Sequence, residues 1–511
     1  MSKSSSKKEK KKQDNSQIGG KVFIGMFLLI ILIPFVGMLF YKTDMSVEKR
    51  TAAPFPKLTT YDGKLNLKYF ENLNDYFNDH FAFRQEMTTV DATLTTKLLN
   101  TSLNDDVIYG KDGWLYYTET MDEYFGRNVL SDRGINNCAK SIKLMQDYTE
   151  NQDMQFLFMV APIKADLYPE HLPYNYKKGS DVNNWSKLLP LMDEMDIHYV
   201  NLHDAFNNDD RVMYHKLDTH WNDEGAAYAC KVIEESVGRQ AKDYTNVPYE
   251  IKKVHRGDVY GMLYPKGKVL DDNVVYSEGH TFDYVTNTKD TEDFNIQTTC
   301  EGKDGSLVMY RDSYGNALIP FMADEYKDAY FTKIMPFDLD LITEYNASVV
   351  MLELTQRHIT YLWEYLPKMD ALLTEAAPES PEAAEENVFL GVEKDTDGRL
   401  IVYGTLDPEY TDDSSPVYIR ITDSRYISDY EAFPVGYKKV GGELSLTEDE
   451  KQEEQRIDKL FEKSGYNKKD YQFGMYISPE NLEQGECSFE IITEKDGVYY
   501  TTGNIHTYIN E

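Results

Sequence analysis

The stretch Ser306-Leu307-Val308-Met309-Tyr310-Arg311-Asp312-Ser313-Tyr314-Gly315-Asn316 decides how this chain is read. Its first five residues are short and apolar enough for a buried strand. A glycine-containing turn follows, then a second apolar segment, Ala317-Leu318-Ile319. A serine thus sits between strand and apolar segment, a nucleophile elbow in outline without the G-x-S-x-G spacing. A serine hydroxyl attacks poorly unless a base takes its proton and a third group orients that base. Asp218-Thr219-His220-Trp221, earlier in the chain, supplies the carboxylate and imidazole. Asn222 then reads as a helix cap with Asp223 and Glu224 in the first turn, so the pair is predicted on a loop at a helix N-terminus.

Outward from these two stretches, strands and helices alternate. Gln155-Phe156-Leu157-Phe158-Met159-Val160 is a buried-strand candidate. A helix near 181–196, the strand Ile197-His198-Tyr199-Val200, the helix after Trp221 and strands at 306–310 and 348–354 complete an α/β sandwich with a mainly parallel sheet. The ends of such strands commonly line a ligand crevice. Lys164, past the first strand, is therefore a candidate to face the site, in equal competition with a solvated loop position. Arg357, past the last strand, is a candidate to fix substrate or support Asp312; a structural salt bridge to Glu353 is the favoured account. Upstream, Leu65, Tyr69, Leu73, Tyr76, Phe77 and His80 fall near helical spacing, residues 107–117 read as a hairpin turning at Lys111-Asp112-Gly113, and helical patterning resumes over Asn136–Glu150.

Four segments in order carry a family resemblance: Phe81-Ala82-Phe83-Arg84 with residues 109–117; Ala161-Pro162-Ile163-Lys164 with Tyr168-Pro169-Glu170 and Leu172-Pro173; Asp218-Thr219-His220-Trp221; and Arg311-Asp312-Ser313-Tyr314-Gly315-Asn316. Together they resemble the alginate O-acetyltransferase-type branch of the SGNH hydrolase superfamily, which includes the DHHW proteins. The resemblance implies a three-layer α/β sandwich in permuted motif order, with the acid and base preceding the nucleophile. It implies a triad of Ser313, His220 and Asp218, working through an acyl-enzyme. Arg311 stands where many SGNH proteins carry the glycine of Gly-Asp-Ser. The amides of Ser313 and Gly315 are the oxyanion candidates, with Asn316, Lys164 and Arg357 as further oxyanion or substrate-binding candidates. The implied activity is O-acetyl transfer to hydroxyls of an exported or cell-wall polysaccharide, the acetyl donor being a membrane-bound acyltransferase. Alternatives are an acetylesterase of the same mechanism and a non-catalytic envelope or polysaccharide-assembly protein. No cofactor is called for.

The chain has 511 residues, enough for two or three domains. Residues 1–20 form a Ser/Lys tail without apolar periodicity, for which disorder is expected. Val22 through Tyr41 then carries no charge over a length that spans a bilayer core. Seven lysines lie in the first 21 residues, which sum to +5 against −38 on the remainder of a chain of net charge −33. The positive-inside rule puts the N-terminus in the cytoplasm and the rest outside. A cleaved signal peptide would need an unusually long apolar core, and its Thr51-Ala52-Ala53 site would lie well past it; an uncleaved anchor in the cell membrane is favoured. The acidic bulk repels nucleic acid and argues against such a role. The forty tyrosines suit sugar contacts and an ordinary extracellular β-domain alike.

His203, Asp204, His215, Asp218 and His220 raise a metal hypothesis, since Asp-x-His offers two ligands. No H-E-x-x-H spacing accompanies them, and Ser313 would be left without a role, so no metal is expected. Cys138, Cys230, Cys300 and Cys487 are widely spaced, and disulfide pairing among them is open. Past an acidic linker, short β-type runs at 388–392, 400–403, 417–421, 473–477, 487–492 and 498–502 predict a β-sandwich, interrupted by a helical segment at 446–466. The chain therefore divides into a disordered basic cytoplasmic tail (1–21), a transmembrane helix (22–41), a linker (42–68), an SGNH hydrolase-like catalytic domain (69–374), an acidic linker (375–388) and a β-rich C-terminal domain (389–511).

Overall fold

The computed structural model of the protein describes all residues except 1, 44, 46–50, 61–62, 387, 437–447, 502, 504 and 511. Helix α1 runs from Ser2 to Gly37. Its Gly20–Gly37 part has a mean hydropathy of 2.3 and is only 6% buried, long and apolar enough to cross a membrane. The lysine-rich tail, expected to be disordered, continues this same helix. It holds no proline, and no glycine before Gly19, so a helix nucleated by the apolar half propagates through it. The end of α1 meets α2 (Tyr69–His80) and α3 (Arg84–Leu99).

Strands β1 (Val107–Tyr109) and β2 (Leu115–Tyr117) form the expected hairpin. Its turn needs left-handed backbone at Asp112 (φ 54°) and Gly113 (φ 76°), which an Asp-Gly pair tolerates. Helix α4 (Asp132–Glu150) is capped by Ser131 and precedes β3 (Gln155–Ala161). Helix α5 (Asn184–Glu194) opens on an Asn183/Ser186 capping box and leads to β4 (Tyr199–Val200). The Asn222 side chain accepts from the Gly225 N–H, capping α6 (Asp223–Ser236) as its sequence indicates.

A two-stranded ribbon then forms from β5 (Tyr249–His255) and β6 (Asp271–Tyr276), with helix α7 (Asp258–Leu263) between them in the chain. After β7 (Asp283–Tyr284) and β8 (Asn295–Thr299) come β9 (Ser306–Tyr310), α8 (Gly315–Ala323), β10 (Asp328–Thr332) and β11 (Val349–Thr355). The central sheet is mixed, in the order β4-β3-β11-β9-β10-β8-β7. Strands β4, β3, β11, β9 and β10 run parallel, while β8 and β7 close one edge antiparallel.

Helices cover both faces, as the strands' side chains require. Phe156, Phe158 and Val160 of β3 pack with residues of α4 and α5. The alternating Leu157, Met159 and Ala161 pack with α6 and α8. A parallel strand buried on both sides reads as an unbroken apolar run for this reason.

The C-terminal region holds two sheets. One joins β12 (Leu372–Leu373), β17 (Ile427–Glu431), β16 (Tyr418–Thr422), β19 (Gly485–Lys495), β20 (Val498–Thr501), β13 (Glu382–Ala383) and β21 (Ile505–Asn510). The other joins β14 (Phe389–Lys394), β15 (Leu400–Thr405) and β18 (Gln472–Ile477). Helix α9 (Glu448–Ser464) matches the expected helical insertion, whose first two residues lie outside the described ones. The acidic linker is not a free tether: its Glu382–Ala383 pairs with β20. Nor does apolar packing break there. Ile142 of α4, Val402 of β15, Ile419 of β16 and Ile491 of β19 belong to one buried cluster. Arg133 and Asn137 of α4 donate to the Asp470 carbonyl at 2.8 and 2.9 Å. All four cysteines are buried free thiols.

Candidate active site

The carboxyl end of β9 and the loop before α6 meet at one point. Ser313 Oγ lies 2.9 Å from His220 Nε2, and His220 Nδ1 lies 2.6 Å from Asp218 Oδ1. A carboxylate facing Nδ1 keeps the proton on that nitrogen, which leaves Nε2 to accept from the serine hydroxyl. Two reciprocal hydrogen bonds buckle the loops together. Trp221 Nε1 donates to the Tyr314 carbonyl at 3.0 Å, and Tyr314 Oη donates to the Thr219 carbonyl at 3.0 Å. Both rings are buried, at 0% and 1% exposure.

Asp218 accepts four hydrogen bonds. Oδ1 takes His220 Nδ1 and the His220 N–H (3.0 Å); Oδ2 takes His255 Nε2 (2.9 Å) and the Asp258 N–H (2.7 Å). Burial alone would raise its carboxyl, but the charge and hydrogen bond of His220, joined by His255, hold it well below the usual carboxylate range. Burial likewise opposes the charged forms of His220 and His255, and in both the Asp218 carboxylate prevails and raises the imidazole above its ordinary value. Asp258 goes the other way: burial and the neighbouring Asp218 charge push its carboxyl up. Its Oδ1 accepts from the Thr219 N–H at 2.8 Å, bracing the same loop.

The serine side is braced with equal care. Asp312 Oδ1 accepts from the Tyr314 N–H, and Oδ2 from the Thr355 N–H and His358 Nδ1, each at 2.8 Å. Behind it Glu353 is fully buried, its Oε2 accepting the Asp312 N–H at 3.0 Å. Burial, with the Asp312 charge beside it, raises the Glu353 carboxyl far above its ordinary value. Arg311, in the place of a glycine, is buried. It donates to the Asp293 carbonyl at 2.7 Å and to Asn316 Oδ1 at 2.6 Å, tying the turn to the start of α8. Gly315 makes room for it. A Cβ there would fall 2.7 Å from Arg311 Cδ and 2.8 Å from its Cβ.

Ser313, His220 and Asp218 open into a cleft of about 530 Å³ that Asn316, Arg357, Tyr117, His255 and Lys333 also line. Arg357 does not pair with Glu353, which is spent on the Asp312 amide. Its Nη1 donates to Glu119 Oε2 at 3.2 Å, and its guanidinium sits over the Tyr117 ring. Lys164 is neither solvated nor at the cleft. Its Nζ is buried and donates to the carbonyls of Asp218 (2.5 Å), His215 (3.2 Å) and Lys216 (3.4 Å), above the Trp114 and Tyr116 rings. Burial pushes its ammonium down to about 8. Lys164 thus supports the Asp–His loop from beneath.

His203 and Asp204 lie outside the cleft lining, His203 being buried against Trp185 with ring centroids 5.0 Å apart. His215 stacks on His255 at 3.8 Å, and burial together with that neighbour lowers it to about 3, so it is neutral. Among the described residues, Asp218, His220 and Asp258 bring ligand-type atoms within 4.8 Å of one another. Both nitrogens of His220 and both oxygens of Asp218 are already engaged in the relay.

Sequence reasoning missed His255 and Asp258. Their signal is Gly257 between them: a Cβ there would lie 2.1 Å from the Leu217 carbonyl oxygen, so only glycine lets this segment press against the Asp218 loop.

Residues 107–291 match the family model described as SGNH hydrolase-like domain, acetyltransferase AlgX. A probable alginate O-acetylase AlgJ from Pseudomonas syringae pv. tomato is 24% identical over 225 residues, covering 43% of this chain and 53% of that protein. Its counterpart from Pseudomonas fluorescens is 23% identical over 176 residues, covering 34% and 43%. The chain spans about half the length of the curated relatives it matches. Among solved structures, a DHHW family protein from Eubacterium siraeum aligns over 50% of this chain and 91% of its own, at 19% identity and a TM-score of 0.38.

Proposed function

We propose that this chain, whose residues 107–291 match the model of the SGNH hydrolase-like domain, acetyltransferase AlgX, is an extracytoplasmic polysaccharide O-acetyltransferase. The observation that carries the reading is the unbroken relay from Asp218 through His220 to Ser313, opening into a cleft. His220 Nε2 takes the hydroxyl proton as Ser313 Oγ attacks an acetyl carbonyl, and Asp218 stabilises the imidazolium that forms. Collapse of the tetrahedral intermediate expels the donor's oxygen, protonated by His220, and leaves acetyl-Ser313. A sugar hydroxyl then gives its proton to His220, attacks the acetyl carbonyl and departs as the ester, returning the proton to Ser313.

The developing oxyanion needs donors, for which the Ser313 and Gly315 amides beside the nucleophile are the candidates. Arg357 lines the cleft with one of its five N–H donors engaged by Glu119, which suits it to hold a substrate oxygen. Helix α1 serves as the membrane anchor, with the basic tail in the cytoplasm. The relatives named as probable alginate O-acetylases support a polysaccharide acceptor, and a membrane-bound acyltransferase is the donor proposed.

The test is hydrolysis of a chromogenic acetyl ester by the full chain and by Ser313→Ala. Equal activity in the two overturns the serine mechanism. With activity present, acetylated product from an added soluble glycan separates transfer from hydrolysis.

A further inference from the structure

Helix α3 is inverted with respect to a globular surface helix. Its inward face carries the buried Gln85, Ala92, Thr95 and Thr96. Its outward face carries Met87, Val90, Leu94 and Leu98, 44, 60, 55 and 76% exposed, recurring as one helical stripe. The inward hydroxyls have partners. Thr96 Oγ1 accepts from Tyr264 Oη at 2.8 Å, and Thr89 Oγ1 accepts from the Lys266 N–H at 3.0 Å. The polar face therefore grips the protein while the apolar face is turned away from it. An exposed apolar row of this length marks an interaction surface.

The end of α1 meets α2 and the start of α3. Phe35 of α1 stacks on Phe77 of α2 with centroids 6.4 Å apart, and Tyr41, just past α1, meets Phe83 at the start of α3 at 5.2 Å. Tyr41 Oη also donates to Glu86 Oε1 at 2.7 Å. The start of α3 therefore lies against the segment by which α1 would leave the bilayer.

We propose that the outward stripe of α3 seats against the lipid interface of the bilayer that α1 crosses. This rests on reading α1 as a membrane anchor. Lys97, exposed beside Leu98, can carry its charge to the headgroups while its stem stays apolar. The contact bears on the active site. Tyr264 and Lys266, which hold α3, follow α7, and the N–H of Asp258 at the start of α7 donates to Asp218. A seated α3 would fix the cleft at one height and tilt above the leaflet.

The test reconstitutes the full chain alone in phosphatidylcholine vesicles and labels single introduced thiols with a bimane dye. The native cysteines are buried, so labelling falls on the new one. Leu94→Cys reports the stripe, Phe27→Cys reports α1, and Tyr426→Cys, 61% exposed on the C-terminal sheets, reports open solvent. Lipids brominated near the headgroups should quench the label at position 94 at least about twofold more than the label at 426, and iodide should reach it less. Quenching at 27 by deep bromines, with none at 94, leaves the anchor standing and overturns the α3 contact, as would a stripe reserved for a protein. No quenching at 27 overturns the anchor reading and this proposal with it.

Discussion

His255 Nε2 donates to Asp218 Oδ2 at 2.9 Å, occupying the carboxylate oxygen that His220 leaves free. The triad acid thus serves two imidazoles. His255→Ala should remove a hydrogen bond to a charged acceptor worth about 1.5–3 kcal/mol, which is roughly 10–100-fold in rate if felt fully in the transition state. His255→Gln, which can still donate an N–H, should recover most of it. Steady-state kinetics on an acetyl ester would check both; an unaffected His255→Ala enzyme would refute the positioning role.

The pH profile has a defined sign. His220 must be neutral to act as base, and Asp218 raises its pKa against the lowering effect of burial. Activity should therefore fall, as pH drops, from a point above the usual histidine value of about 6.5. Stability runs the opposite way. The imidazolium–carboxylate pair contributes fully below the unfolded pKa, and that contribution is lost as pH rises through the folded one. A profile of kcat/KM against pH with its acid limb below the ordinary histidine value would contradict this.

Glu353 is buried and its carboxyl is pushed far above its ordinary value, so the uncharged Glu353→Gln should cost little. In the native chain its raised pKa means stability declines as pH climbs from the unfolded carboxylate value toward the folded one. The glutamine variant lacks that decline. From acid to neutral pH, Tm should fall more, or rise less, in the native chain than in Glu353→Gln, as thermal melts would show.

Lys164→Met should strand two carbonyls beneath the Asp–His loop, those of His215 and Asp218, while that of Lys216 keeps the Leu115 N–H at 3.0 Å. At about 1–3 kcal/mol for a buried unpartnered acceptor, the expected loss is about 2 kcal/mol or more. Chemical denaturation measures it, and the residual folded enzyme should show reduced kcat because the loop it supports carries the base.

Gly315→Ala should press a methyl group against Arg311 and shift the turn that bears Ser313. Overpacking of this kind costs about 1–3 kcal/mol. The expected readout is a lowered Tm together with a loss of activity larger than the stability loss explains. An unchanged Tm would show that Arg311 can move aside.

The legible and illegible parts of the chain differ in physical kind. Strands β3, β9 and β11 announce themselves because burial on both faces makes them unbroken apolar runs, and Asn222 announces α6 because a cap has few substitutes. Ser313, His220 and Asp218 were legible as a chemical set, and the fold brings them together. Strand β5 was not: Tyr249-Glu250-Ile251-Lys252-Lys253-Val254 is exposed and charged, and among the described residues it pairs with β6 alone, so no periodicity marks it. His255 and Asp258 were missed with it. Lys164 and Arg357 were rightly placed at strand ends, but which way a long side chain turns there depends on partners far away in sequence, carbonyls for one and Glu119 for the other. The lysine-rich half of α1 was not legible for another reason, since composition does not register that a neighbouring helix can be extended.

The crossed hydrogen bonds of Trp221 and Tyr314 have one more consequence. Each ring is rooted in one loop and bonded to the backbone of the other, so neither loop can swing out without stripping both. Base and nucleophile therefore travel as a single block, already aligned before any acetyl group arrives. Whatever motion admits the proposed glycan must come from the other side chains that line the cleft, Arg357 and Lys333 among them, because the β5–β6 ribbon is itself tied to the base's loop through His255 and Asp271.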